Sequence, residues 1–364
     1  MSHDDGSSMK RDLNRNKLKL ALIRLDRLGD LILTLPADEI LPASKCDVTW
    51  VVPAAFSGLF QLTEPDRSFH PINLADPKQA KAELLNWLKK KQFDAVVFFQ
   101  GPTWVYSALF KSRIPIRVGV KSRWQSWLCL NAGLRQKRSL SEQHESCYSD
   151  ELVKHLAEKI GVVPQNRPFN WLRLKRPVGE GSRDRHREMQ VSRKYIVVHP
   201  GMGGSARNWP ASSYIQLIEK LIENGLVVIT GTAADERWLE PIRVWLEMQN
   251  DSKKTRIYWS VGKVDLLGLA EVLSQAKALV APSTGVLHLA ASMGTPTVGI
   301  FSPVRVQAPT RWGARGARVK NLSPQVDCPG HFDCLMEKCS QFDCMSQISV
   351  GTVMKEIDEV INLS

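Results

Sequence analysis

From Leu18 onward, short apolar runs alternate with longer stretches whose apolar positions recur at helical spacing, the pattern of a parallel-sheet α/β architecture. LKLALIRL predicts a strand, DRLGD a tight loop and LILTLPADEIL an apolar helix; residues 47–52 and 95–99 read as further strands with a helical segment near 80–91 between them. A charged, aperiodic stretch over about 175–193 interrupts the pattern, which then restarts. Residues 195–198 and 226–230 predict strands flanking an amphipathic helix over 211–224. A strand near 256–259 and a helix over 265–276 follow. KALVAPSTGVLHLAASMGTPTVGIFSP then reads as strand, turn, helix, turn and strand, the helix closing at Gly294 and stopped by Pro296. The last periodic segment, 350–362, predicts a helix. The expected organisation is a disordered lead-in over 1–17, a parallel-sheet α/β domain over 18–175, a linker over 176–193, a second α/β domain over 194–345, and a C-terminal helix over 346–364 packing back towards the first domain.

In open α/β sheets ligands bind beyond the carboxyl ends of the strands, so the loops there are the candidates for chemistry. Ser283-Thr284-Gly285 opens a helix whose first N–H groups lack intrahelical partners and carry the positive end of its dipole, which suits an anion such as a phosphate. His288 follows Thr284 by one turn and can face the same ligand. In HPGMGGSARNWP, Gly201, Gly203 and Gly204 permit close backbone approach and Arg207 adds a fixed charge. The spacing is neither a dinucleotide fingerprint nor a Walker loop. Asp30, directly after Gly29, either caps the helix that follows or faces a ligand. Asp235 and Glu236 begin another helix, where they favour its dipole or bind ribose hydroxyls.

Composition narrows the partners. A net charge of +12 over 364 residues points to anionic ones: nucleic acid, phosphosugar or an anionic membrane. No apolar run approaches the roughly 20 residues of a membrane span, and the opening MSHDDGSSMKRDLNRNK lacks a signal-peptide core, which implies a cytoplasmic protein. Seven cysteines argue for reduced thiols. Cys328, Cys334, Cys339 and Cys344 invite a zinc reading, but none stands in a CxxC pair, and a loop of reduced cysteines is the favoured alternative. Between residues 95 and 141 there is no acid, yet Lys111, Arg113, Arg117, Lys121, Arg123, Arg135, Lys137 and Arg138 fall there with Trp104, Trp124 and Trp127 among them. No RNA-binding signature accompanies them. A surface for phosphorylated or membrane-borne acceptors fits this stretch, against a basic face with its tryptophans in the core.

Three loops, RLDRLGD, HPGMGGSARNWP and PSTGVLHLAASMGTP, stand in this order with Arg117-Val118-Gly119 and the cysteine-bearing tail. Together they resemble glycosyltransferase family 9, the heptosyltransferases of bacterial lipopolysaccharide synthesis. The resemblance implies a GT-B fold with two Rossmann-like domains facing a central cleft, donor on the second and acceptor on the first, and inversion at the anomeric carbon without a metal or other cofactor. It assigns Asp30 as catalytic base. Gly203, Gly204, Ser205, Arg207, Ser283, Thr284, Gly285 and His288 fall at the donor diphosphate, Thr232 and Glu236 at the nucleoside, and Arg117, Lys121 and Arg123 at the acceptor. Ser283 is a departure: several characterised heptosyltransferases resemble Asp-Thr-Gly or Asp-Ser-Gly there, so any acidic contact at this place is missing. The implied partners are a nucleotide-diphosphate sugar, ADP-heptose foremost, a phosphorylated glycolipid of the lipopolysaccharide core, and the cytoplasmic face of the inner membrane, without nucleic acid. The alternative is a non-catalytic nucleotide-sugar-binding protein on the same fold.

Overall fold

The structure is a computed structural model and describes residues 17–167, 169–177, 195–204 and 206–363. The expected lead-in, apart from residue 17, lies outside the described residues, as do most of the expected linker and Ser205.

Strands and helices build the first half: β1 (Leu18–Arg24), α1 (Leu28–Thr34), β2 (Cys46–Pro53), β3 (Thr63–Glu64), β4 (Ser68–Ile72), α2 (Pro77–Lys91), β5 (Ala95–Gln100), α3 (Trp104–Ser112), β6 (Ile116–Val120), α4 (Trp124–Cys129), β7 (Ala132–Leu134) and α5 (Glu145–Lys159). The sheet runs β4-β2-β1-β5-β6-β7, parallel throughout. Leu20, Ala21, Leu22 and Ile23 are fully buried, because a parallel sheet covered by helices on both faces needs continuous apolar strands rather than alternation. A short antiparallel ladder joins β3 to β8 (Arg173–Leu174) and fastens the end of this half to its own body.

The second half repeats the plan with β9 (Tyr195–Val198), α6 (Ala211–Asn224), β10 (Leu226–Ile229), α7 (Glu236–Glu247), α8 (Asp251–Lys254), β11 (Ile257–Trp259), α9 (Leu266–Gln275), β12 (Ala278–Pro282), α10 (Gly285–Ser292), β13 (Thr297–Ile300), α11 (Pro309–Trp312), β14 (Val319–Leu322) and α12 (Val350–Asn362). Its sheet runs β11-β10-β9-β12-β13-β14, again all parallel. In both sheets the strand order reverses beside the first strand, between β1 and β5 and between β9 and β12. Those reversals open a crevice at the carboxyl ends of the strands.

Two expectations change. Gly29 and Asp30 lie inside the first turn of α1, which starts at Leu28, and not in the preceding loop. The helix then tightens at Leu35–Ile40 into 3-10 geometry, as Pro36 has no N–H to continue an α-helix. Among the described residues, the terminal helix α12 packs on its own half and not on the first as expected. Its stripe of Val350, Val353, Ile357 and Val360 is buried with Leu217, Ile218, Val298 and Ile300, and its neighbours are α6 and strands β12, β13 and β14. The second sheet needs an apolar cover on that face, and α12 supplies it.

The halves meet where α1 lies against α10 and where α9 lies on the 3-10 segment Ala54–Gln61. Replacing Ile357, 1% exposed, by Ala should cost about 2–5 kcal/mol, read as a lowered denaturant midpoint. A midpoint unchanged from wild type contradicts the packing of α12.

Candidate active site

The carboxyl ends of the two sheets face one another across an open cleft of about 700 Å³. Asp30, Gly203, Ser283, Thr284, Gly285 and His288 all line it, so three loops distant in sequence converge there. The halves come closest at two glycines. A Cβ on Gly29 would lie 2.9 Å from Cδ2 of His288, and one on Gly285 would lie 3.0 Å from the backbone N of Gly29. Glycine at both positions lets the N-terminal ends of α1 and α10 abut across the cleft floor.

Asp30 does not cap its helix. Arg27 occupies the N-cap, without a side-chain cap bond, and the Asp30 carboxylate instead accepts a 2.7 Å bond from Nη2 of Arg24. Arg24 ends β1 and is 1% exposed, so its charge must be matched locally. Its Nε donates to Asp26 at 2.8 Å and its Nη1 to the Thr34 hydroxyl at 3.0 Å. Glu145 stands 3.6 Å from Nη1. Burial works against the Arg24 charge, but Asp26, Asp30 and Glu145 outweigh it and raise its pKa above the ordinary value.

Glu145, also 1% exposed, joins both halves. It accepts from Arg138 at 2.8 Å on its own half and from Arg311 on the other, where Nη2 lies 3.1 Å away. Burial alone would raise its pKa, yet Arg138, Arg24 and Arg311 hold it below the usual carboxylate range. Beside it, Nε2 of His144 donates to the Gly313 carbonyl at 2.8 Å, Arg315 donates to Ser146 at 2.8 Å and Arg305 to the Leu140 carbonyl at 2.8 Å. The segment around α11 is thereby laced onto the start of α5. For Asp30 burial wins: it pushes the carboxyl up to about 6 against the pull of Arg24, with Asp26 and Glu145 adding to the rise. Such a group is ionised at neutral pH yet retains appreciable basicity.

On the opposite wall, Thr284 is the N-cap of α10 in extended conformation, makes no side-chain cap bond, and no acid stands in the first turn. The helix terminus is open to an anion. Burial, with His144 nearby, lowers the pKa of His288 to about 3, so the ring is neutral, and its Nδ1 has no partner among the described residues. Gly203 has open space where a side chain would stand, and Gly204 has φ +71°, which favours glycine. Gly201 has a different reason to be glycine: a Cβ there would lie 2.4 Å from Cγ of Asp235.

Other expected residues are not brought to the cleft. Arg207 turns into an adjoining pocket, where Nη2 donates to the Phe342 carbonyl at 2.8 Å and the guanidinium lies 4.3 Å from the Phe342 ring centre. Thr232 bonds Asp235 at 2.8 Å as part of a capping box, and Glu236 pairs with Arg243 at 2.8 Å on the surface; neither lines the cleft. Arg117 braces its own half, donating to the Cys129 and Ile114 carbonyls. Lys121 and Arg123 sit just beyond the carboxyl end of β6, outside the cleft lining. Cys328, Cys334, Cys339 and Cys344 are free thiols, and among the described residues no three His, Cys, Asp or Glu side chains are placed to hold a metal ion.

Residues 82–339 match the profile of glycosyltransferase family 9 (heptosyltransferase). The chain belongs to that family. It is 29% identical to lipopolysaccharide heptosyltransferase 1 of Pseudomonas aeruginosa over 341 residues, covering 89% of this chain and 88% of the relative. It is 24% identical to the lipopolysaccharide core heptosyltransferase OpsX of Haemophilus influenzae, with 78% of each chain covered. Among solved structures, Escherichia coli ADP-heptose lipopolysaccharide heptosyltransferase II superposes with a TM-score of 0.73 at 18% identity, covering 94% of this chain and 98% of that one. The fold is GT-B, as the resemblance implied.

For this glycosyltransferase, sequence reasoning missed Arg24, Glu145 and Arg311, and read Arg138 as part of a basic acceptor surface, whereas it pairs with the buried Glu145. Of these, Arg24 left a local signal, as the charge that closes the apolar run of Leu20, Ala21, Leu22 and Ile23. If Asp30 is the titrating base, transfer falls as pH drops through about 6, where the carboxyl protonates. Asp26→Asn removes a negative neighbour and leaves more of the Arg24 charge for Asp30. The acid limb should then move to lower pH, by up to about one unit. A kcat/KM profile with an unmoved or raised limb would show that another group titrates.

Proposed function

We propose that this chain transfers a heptose from ADP-heptose to a phosphorylated lipopolysaccharide-core acceptor by a single inverting displacement, without a metal, at the cytoplasmic surface of the inner membrane. The observation that carries the reading is the position of the Asp30 carboxylate on the cleft floor, directly across from the open N-terminus of α10. An acceptor hydroxyl is a weak nucleophile. Asp30 takes its proton as the new glycosidic bond forms, a contribution of about 10²–10⁴ in rate. The bond from the anomeric carbon to the diphosphate breaks on the opposite face, and the leaving ADP gains charge. Backbone N–H groups at Gly285 and the residues after it meet that charge, and being fixed in advance they need no reorganisation. The neutral His288 ring offers a hydrogen bond without competing for the proton.

Arg24 and Glu145 act as positioning residues. They hold Asp30 in one place and tie it to the donor-side wall through Arg311. The nucleotide is assigned as ADP because the solved relative of 0.73 TM-score is an ADP-heptose enzyme; lipopolysaccharide is assigned from the relatives that cover most of the chain.

Asp30→Asn keeps the shape and removes the base. Transfer should fall by at least about 10², while the Kd for ADP measured by calorimetry stays within about twofold of wild type. Full turnover in this variant would falsify the role of Asp30. A wild-type chain that binds ADP-heptose tightly but transfers to no lipopolysaccharide-core acceptor would instead establish the non-catalytic reading.

A further inference from the structure

Helix α4 is built with its apolar side outward. Its buried residues are Ser126 and Cys129, while Trp124, Trp127 and Leu128 are 72%, 56% and 65% exposed. A surface helix ordinarily turns its apolar stripe to the core. Phe110, 52% exposed, extends this face at the end of α3, which packs on α4. The platform is held firmly: Oγ of Ser126 accepts from the backbone N–H groups of Ser122 and Arg123, each at 3.1 Å, and Nε of Arg117 donates to the Cys129 carbonyl at 2.8 Å. Cations ring the aromatics. Lys111, Arg113 and Arg123 are exposed, Nζ of Lys121 lies 4.9 Å from the Trp127 ring centre, and no acid occurs between residues 95 and 141.

We propose that α4 and the end of α3 form a foot that seats the protein on an anionic lipid bilayer, with Trp124, Trp127 and Leu128 at headgroup depth and the surrounding cations among the lipid phosphates. Tryptophan suits that depth because its body is apolar and its edge polar, and Lys and Arg keep their charge among the headgroups while their stems lie along apolar surface. Four protruding side chains fall far short of the ~20–30 residues per side of a stable protein interface. A bilayer accepts them singly. The carboxyl end of β6 stands two strands from that of β1, about 10 Å, so the foot lies beside the acceptor side of the cleft. The purpose of such a foot rests on the transfer reading; the binding itself does not.

The test is co-flotation of the full-length protein with phosphatidylethanolamine vesicles containing phosphatidylglycerol, with no donor or acceptor present. Wild type should float, less so at high salt, and partition weakly onto phosphatidylcholine vesicles. The triple variant Trp124→Ser, Trp127→Ser, Leu128→Ser should lose at least about tenfold in partitioning with an unchanged thermal midpoint. Its turnover of a de-acylated, water-soluble acceptor should stay at the wild-type level. Lys111→Glu with Arg113→Glu should weaken binding to the anionic vesicles alone. A wild-type chain that ignores both vesicle types, or a triple variant that floats as well as wild type, overturns the proposal. So does a dimer that ignores vesicles and that the triple variant splits, since the face then belongs to a second copy.

Discussion

One buried cation organises the cleft. Arg24 ends the central strand of the first sheet at 1% exposure, and a guanidinium there is tolerable only if each part of its fork finds a partner. Asp26, Asp30 and Thr34 supply bonds, and Glu145 adds charge from a helix more than a hundred residues further on. Glu145 is bonded in turn by Arg311 from the other half. The carboxylate at the cleft floor, the end of a strand and the contact between two domains therefore belong to one electrostatic unit. Moving any member leaves a charge buried without its counterpart. That cost makes the geometry specific.

The two sheets share one strand order, yet each uses its switch point differently. In the first, the crevice between β1 and β5 presents a side chain, Asp30, whose helix has no side-chain cap. In the second, the crevice between β9 and β12 presents backbone: an uncapped helix terminus and a glycine loop. A proton acceptor must be a titratable side chain held still, whereas a diphosphate is met well by N–H groups that carry no side-chain entropy. The close approach of Gly29 and Gly285 brings the two within one ligand's span.

Local pattern made much of this legible. Parallel strands buried on both faces read as unbroken apolar runs, and the helix after Pro282 shows its start and stop chemistry openly. Asp30, Ser283, Thr284, Gly285 and Gly203 are legible as residues of the turns that follow strands and His288 as one turn into a helix, and the cleft gathers all six. What stayed hidden depends on long-range pairing. Glu145 sits in an unremarkable helix start, and nothing local says that three arginines converge on it. The apolar stripe of α12 declared a buried face but not which sheet would receive it. Arg207 is the fixed charge of the glycine loop, but the Phe342 carbonyl and ring, 135 residues away, hold its side chain in the adjoining pocket. Trp124 and Trp127 are core-type residues by composition, and only the structure shows that Ser126 and Cys129 took the inward positions.

Ser283 is intelligible in the same electrostatic terms. The cleft lining holds four arginines, Arg24, Arg27, Arg138 and Arg311, and four carboxylates, Asp26, Asp30, Glu145 and Asp333. Three of the arginines are committed to Asp30, Asp26 and Glu145; Arg27 makes no ion pair among the described residues. Apart from Arg27, then, the lining has little spare positive charge for a diphosphate, and the remainder must come from the helix terminus of α10. An acid at position 283 would add a fifth carboxylate beside those N–H groups and compete with a phosphate for them. A serine leaves them available and keeps a hydroxyl at the same place.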